Sequence, residues 1–419
     1  MKTMLTLNRV SALPIFVLTS FFQLHAQPAR VVVDNVPDLR ACVSRPAGPP
    51  LVCALRSSSA PYEVSGEPIT IQRADTTVEA DVQAGQTPPM LKRTDGSMKK
   101  IIWVTKSATN VTIQNLQFDG TKSITPPKDS HYFDISAEGS DIQILNNYFG
   151  NSSFYCVYIG GSHVTVRNNT FGAFLSGGET RTAPGLDTAV KAWGANATQF
   201  TVDGNKISHY RGAMSITNVP NGSDPASASV INNNTLYHNA ICVPDCGGGQ
   251  ILLGSSSNIK VTNNSINGGW NENENRNTLH SYGLEIHDTS YVYIGSNQIF
   301  NNSLSGIWVG NGSHHITIEN DNVYENGLNG VQVAAGGRLR PVSDISIIGL
   351  KSRHNDQHRG PGGPFPTLPR FWGVMIQNEG PQSVCIQTDS DLEQNARGAI
   401  FAERRGGYSL SAACPRPYN

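Results

Sequence analysis

Apolar and polar positions alternate along this chain in short bursts that repeat. Compare "NVTIQNLQFDG", "DIQILNNYFGN", "HVTVRNNTFGA", "NIKVTNNSING", "YVYIGSNQIFNN" and "HITIENDNVYEN". Each reads apolar, x, apolar, x, x, Asn, x, apolar, with Leu116 in the first and Asp321 in the last at the Asn place, and each follows a second short run such as "YFDIS", "CVYIG", "QILLG", "GIWVG" or "GVQVA". Period-two alternation predicts strands, and a repeat of roughly 22 to 25 residues is too short for a strand–helix–strand unit. The pattern predicts an all-β coil of parallel strands, each turn resting on the last with alternate apolar side chains inside. Asn147, Asn169, Asn205, Asn234, Asn264 and Asn297 recur at one place, with Asp321 following. Stacked at a corner, these side chains can bond one another and the turn backbone. A leucine-rich solenoid or a propeller of antiparallel blades does not fit this spacing.

Over roughly residues 60 to 410 the repeats resemble the right-handed parallel β-helix superfamily of pectate-lyase-like proteins. The resemblance implies a single-stranded right-handed parallel β-helix of about eleven turns, spanning residues 61–419. It also implies an N-terminal cap within 27–60, where "VPDLRACV" (36–43) is the candidate helix. Residues 1–26 read as a secretory signal: Lys2 and Arg9, the apolar run "LPIFVLTSFFQL", then "HAQPA" with cleavage after Ala26. A signal anchor is the alternative, although the run is short for a span. The expected location is therefore secreted or periplasmic. In that setting seven cysteines permit disulfides, with Cys42–Cys53, Cys242–Cys246 and Cys385–Cys414 expected and Cys156 left as a buried thiol.

Composition narrows the partners. A formal net charge of -1 gives no support for nucleic acid or an anionic membrane as the main partner. Aligning the second run of each repeat sorts the outward side chains into two columns, with neighbours roughly 4.8 Å apart. The first runs Trp103, Asp134, Tyr158, Lys191, Ser215, Leu252, Glu285, Trp308, Gln332, Met375, Phe401. The second holds Ser136, Trp193, Gly254, His287 and Gly310 among others. Large rings on a solvent-facing sheet suit the C–H faces of sugars, so Trp103, Tyr158, Trp193, Trp270 and Trp308 are candidate binders of a polysaccharide or oligosaccharide. Asp134, Arg211, His280 and Arg276 join them as polar candidates. The alternative is that loops fold over these rings to make a second small core. Insertions at 173–187, 239–249 and 269–281 enter this sheet from one side and build a groove wall over its middle turns.

Within that groove "SYGLEIHD" (281–288) exposes Glu285 beside His287, with Gly254 and Gly310 leaving room above and below the ring. The stretch "YGLEIHD" resembles a motif of the mannuronan C5-epimerases, which read Tyr-Gly-apolar-acid-x-His-acid but have Asp-Pro where this chain has Glu285-Ile286. Carried over by position, Tyr282 is the acid, Glu285 the carboxylate and His287 the proton-abstracting base. Lys191 is a second candidate base, about three rungs or roughly 14 Å away, too far to serve the same atom. Three readings stay open. The first is a secreted lyase or epimerase that abstracts a ring proton. The second is a glycoside hydrolase, pairing Glu285 with Asp288, Asp187, Asp245, Glu272 or Glu274. The third is a non-catalytic glycan-binding surface protein. No cofactor is expected, calcium being the one alternative, and no metal ligand set is identified. "SHH" (313–315) is too short for one.

Overall fold

A computed structural model describes residues 27–120, 132–152, 154–172, 188–210, 212–239, 248–268, 281–334, 340–355, 372–377, 384–403 and 407–418. Through the middle of the chain each turn lays one strand on each of three parallel sheets, which hold 14, 12 and 11 strands among the described residues. One turn shows the path: Gly248–Gly254 on the 12-stranded sheet, Ser257–Thr262 on the 14-stranded sheet, then Ser265–Asn267 on the third. Ser281–His287 then returns to lie in register on Gly248–Gly254.

Alternation explains the core. On the 14-stranded sheet Ile113, Ile144, Val166, Val202, Ile231, Val261, Ile294, Ile318 and Ile347 pair rung on rung and are fully buried. Column packing of this kind suits β-branched side chains, whose stiff rotamers fit a pleated surface. Phe118, Phe149 and Phe171 form a stack on the 11-stranded sheet, with centroids 4.9 and 4.7 Å apart.

The expected asparagine corner is present. From Asn169 to Asn297 each buried Oδ1 accepts from the backbone N–H and the side-chain amide of the preceding rung's asparagine, at 2.9–3.1 Å, and Asn147 Oδ1 accepts from the Leu116 N–H at 3.0 Å. Asp321 ends the row, taking both bonds from Asn297 at 2.8 Å. The residue before each ladder position has positive φ, as at Asn146, Asn168, Asn233 and Asn263. The paired asparagines thus divide the work: the first tolerates the left-handed bend, the second bridges rungs.

A second buried ladder runs along another corner through Asn239, Gln250, Asn302, Asn326, Asn355 and Asn395.

Near the N-terminus the helix Val36–Val43 starts at Asn35, whose Oδ1 accepts from the N–H of Asp38 at 2.8 Å. It buries Val36, Leu39, Cys42 and Val43 against the first strands. Cys42–Cys53 and Cys385–Cys414 are bonded and Cys156 is free and buried, while Cys242 and Cys246 lie outside the described residues, as does the 1–26 segment. Among the described residues no helix is long and apolar enough to cross a membrane.

Candidate active site

The strand Ser281–His287 buries Leu284 and Ile286 completely and turns Glu285 and His287 to the outer face of the 12-stranded sheet. Glu285 pairs with Leu252 on one side and Trp308 on the other; His287 pairs with Gly254 and Gly310. Glu285 Oε1 is bonded to His287 Nε2. The other carboxylate oxygen, Oε2, is buried without a hydrogen-bond partner, and the residue as a whole is 8% exposed. His287 Nδ1 lies 2.8 Å from the amide nitrogen of Asn311. Both ring nitrogens are therefore engaged by the protein.

Trp308 roofs this pair. Its ring centroid is 4.5 Å from that of His287 and 5.8 Å from that of Tyr282. The indole leans along its own strand, so a Cβ at Gly310 would stand 2.2 Å from Trp308 Cη2. Of the two gaps expected beside His287, the one at Gly310 is thus filled by tryptophan. At Gly254 a Cβ would meet, among the described residues, only the Thr217 methyl, at 3.2 Å. A third glycine, Gly249, pairs with Tyr282, and a Cβ there would fall 2.9 Å from Glu285 Cβ. Burial, and then the charge of Glu285, hold the Tyr282 phenol above its ordinary range, so it keeps its proton at neutral pH.

Other candidates lie farther off. Asp288 follows the strand with φ 45, exposed, and its Oδ1 lies within 2.9 Å of where a Gly312 Cβ would stand, in the next turn. Lys191 is three rungs from Glu285, through Ser215 and Leu252, with its ammonium 5.4 Å from the Tyr155 ring centroid. Tyr158 adjoins Lys191, its hydroxyl donating to the Trp193 carbonyl at 3.2 Å. Trp193 is 47% exposed. Trp103 sits at the far end of the column with the Lys100 ammonium 4.3 Å from its ring centroid. Beyond Trp308 the column closes, since Gln332 and Met375 are buried. Trp270, Arg211, Arg276, His280 and the acids Asp187, Asp245, Glu272 and Glu274 lie outside the described residues.

Asp134 corrects the sequence reading. Ser136, not Asp134, stands between Trp103 and Tyr158 in the first column. Asp134 is fully buried at the corner, its Oδ1 3.3 Å from Arg93 Nη2, and cannot meet a substrate on the open face. A slip of two residues keeps every alternation intact, so periodicity alone does not reveal it. Asn311 was missed for the opposite reason: it follows the strand, in "VGNG", where the alternation has ended. Among the described residues no group of three or more His, Cys, Asp or Glu could hold a metal ion.

The cluster combines a carboxylate with one unpaired oxygen, an imidazole engaged at both nitrogens and a protonated phenol, under an indole. Comparison with known proteins speaks to the scaffold. The tailspike protein gp208 of Dettilon superposes with a TM-score of 0.55 at 13% identity, over 89% of this chain and 68% of its own. The ORF18 protein of Geobacillus virus E2 gives 0.50 at 11% identity, over 84% of this chain and 58% of its own. The A-module of the Azotobacter vinelandii mannuronan C-5 epimerase AlgE4 gives 0.42 at 13% identity, over 91% and 96%. The first two likenesses, at 13% and 11% identity, are of fold alone. No curated protein matches this sequence. The family described as "Right handed beta helix region" matches residues 100–269 and 188–347, which together span more than half of the 419 residues. The chain belongs to the right-handed β-helix family.

Proposed function

We propose that this protein is an exported polysaccharide-active enzyme that removes a proton from a sugar-ring carbon, as a lyase or an epimerase does. The observation that carries this reading is Glu285 Oε2, a buried carboxylate oxygen left without a partner. Leaving such an atom unpaired costs a folded chain about 1–3 kcal/mol, a cost tolerated where a ligand completes the bonding. The polymer lies across the rungs between Trp193 and Trp308, with its C–H faces on the rings. The proton α to a uronate carboxyl passes to the Glu285–His287 pair, and the electron pair enters the enolate. Tyr282 then supplies a proton, either to the departing glycosidic oxygen or to the opposite face of the ring carbon. Arg211, Arg276 and His280 are the candidates for neutralising the uronate. Hydrolysis needs a second carboxylate roughly 5 to 9.5 Å away, and the other acid at this strand, Asp288, is turned onto Gly312.

Tyr282→Phe and Glu285→Gln test the assignment on alginate and polygalacturonate. Each is expected to lower kcat by on the order of 100-fold or more while leaving the melting temperature near the parent's. Variants that keep parental turnover would remove the site from consideration.

A further inference from the structure

The two contacts of His287 restrict where its proton can be. An amide N–H only donates, so the Asn311 nitrogen at 2.8 Å requires Nδ1 to present its lone pair. The ring proton then sits on Nε2 and points at Glu285 Oε1. Reversing the Asn311 amide would set its oxygen against Nδ1 and put a ring proton there, leaving the Nε2 contact to a second ring proton or to a protonated Glu285. The amide orientation therefore decides whether Nδ1 carries a proton. Backbone geometry fixes where that amide stands. Asn311 has φ 53, directly after Gly310, and its carbonyl accepts from the N–H of Asp288 at 3.0 Å.

We infer that Asn311 is a positioning residue that holds His287 as the neutral Nε2–H tautomer, and that the Glu285 carboxylate, not the imidazole, receives the substrate proton. The inference rests on the proton-abstraction reading above and adds the identity of the base. In the step, the C–H bond of the uronate breaks and its electron pair enters the enolate. The proton forms an O–H bond on the Glu285 carboxylate, while Nε2–H continues to donate to Oε1. With Nδ1 taken by Asn311 and Nε2 carrying a proton, the imidazole has no lone pair to offer a substrate. Its work is to hold the Glu285 carboxylate in place through Oε1.

The test uses the mature chain labelled with ring-15N histidine, the His287 signals being assigned by their loss in His287→Gln. Two variants probe the amide. Asn311→Gly deletes it while accepting the left-handed backbone freely, and Asn311→Asp keeps its shape but can only accept. The parent is expected to show an unprotonated Nδ1 and a protonated Nε2. Asn311→Asp should protonate Nδ1, and Asn311→Gly should leave the ring exchanging between tautomers. On alginate and polygalacturonate both variants should lose kcat by on the order of 100-fold with KM within about twofold of the parent. A parent with a protonated Nδ1, or variants that keep the parental 15N pattern, overturns the inference alone. A parent with no turnover on any polyuronate overturns the proton-abstraction reading and the base assignment together.

Discussion

Asp321 stands in a row where the rungs before it carry asparagine, and the exchange has a thermodynamic consequence. Its Oδ1 takes both bonds from Asn297, but Oδ2, where an asparagine would have its amide donor, is buried without a partner. Burial pushes this carboxyl up to about 7 from an ordinary 3.8. Asp134 is also pushed up to about 7, again by burial, which the Arg93 charge only partly opposes. An acid with a higher pKa folded than unfolded binds more proton in the folded chain, so stability falls as pH rises from near 4 to near 7. Asp321→Asn should flatten part of that decline. It should stabilise the fold by about 1–3 kcal/mol at about pH 8 and change little at about pH 4. Thermal melts across that range check it, and a variant less stable than the parent at the higher pH would contradict it. Both outward groups of the central pair, Glu285 and His287, were legible as alternate positions of one strand. Asn311, on the far side of a bend, was not.

At the scale of strands and turns, most of the structure was written in the repeat. The alternation located the strands, and the paired asparagines located one corner with its left-handed residue and its ladder. The second ladder was equally regular, with Asn239, Asn302 and Asn326 each five residues after a first-ladder position, but it carried no separate apolar signature. Ring orientation was invisible for a physical reason. A column names neighbours, whereas Trp308 leans along its own strand onto Gly310 because glycine leaves that surface free. Gly310→Ala would place its Cβ 2.2 Å from the indole, and also 2.8 Å from the Ala334 carbonyl. We expect it to displace the ring and shift tryptophan fluorescence, and to lower polysaccharide turnover about tenfold or more while the chain stays folded. Unchanged fluorescence and turnover would mean that the indole does not shape the site.

Across the whole molecule the C-terminal segment runs back over the outer face of the 14-stranded sheet. Cys414 is tied to Cys385, Arg416 reaches Glu319 at 2.7 Å, and Tyr418 donates to Asn258 Oδ1 at 2.6 Å with Lys260 over its ring. From the strand holding Cys385 to the one holding Asn258 is four rungs, roughly 19 Å. In a solenoid each turn otherwise contacts only its neighbours, so a strap across several rungs couples them. Cys414→Ser is expected to lower stability by about 2–4 kcal/mol, read as a lower melting temperature that reductant no longer shifts as far. The β-helix and two of the disulfides could be anticipated from sequence, but this return path could not, because nothing in local periodicity says where a tail docks. The scaffold leaves the chemistry to the few side chains on its open face. The most direct test of that chemistry is to incubate polyuronates with the protein in D2O, following deuterium on the ring carbons together with unsaturated products and new reducing ends. Deuterium in the polymer, or unsaturated uronate matched by reducing ends, is the predicted result. New reducing ends with neither would contradict proton abstraction and make the site that of a hydrolase.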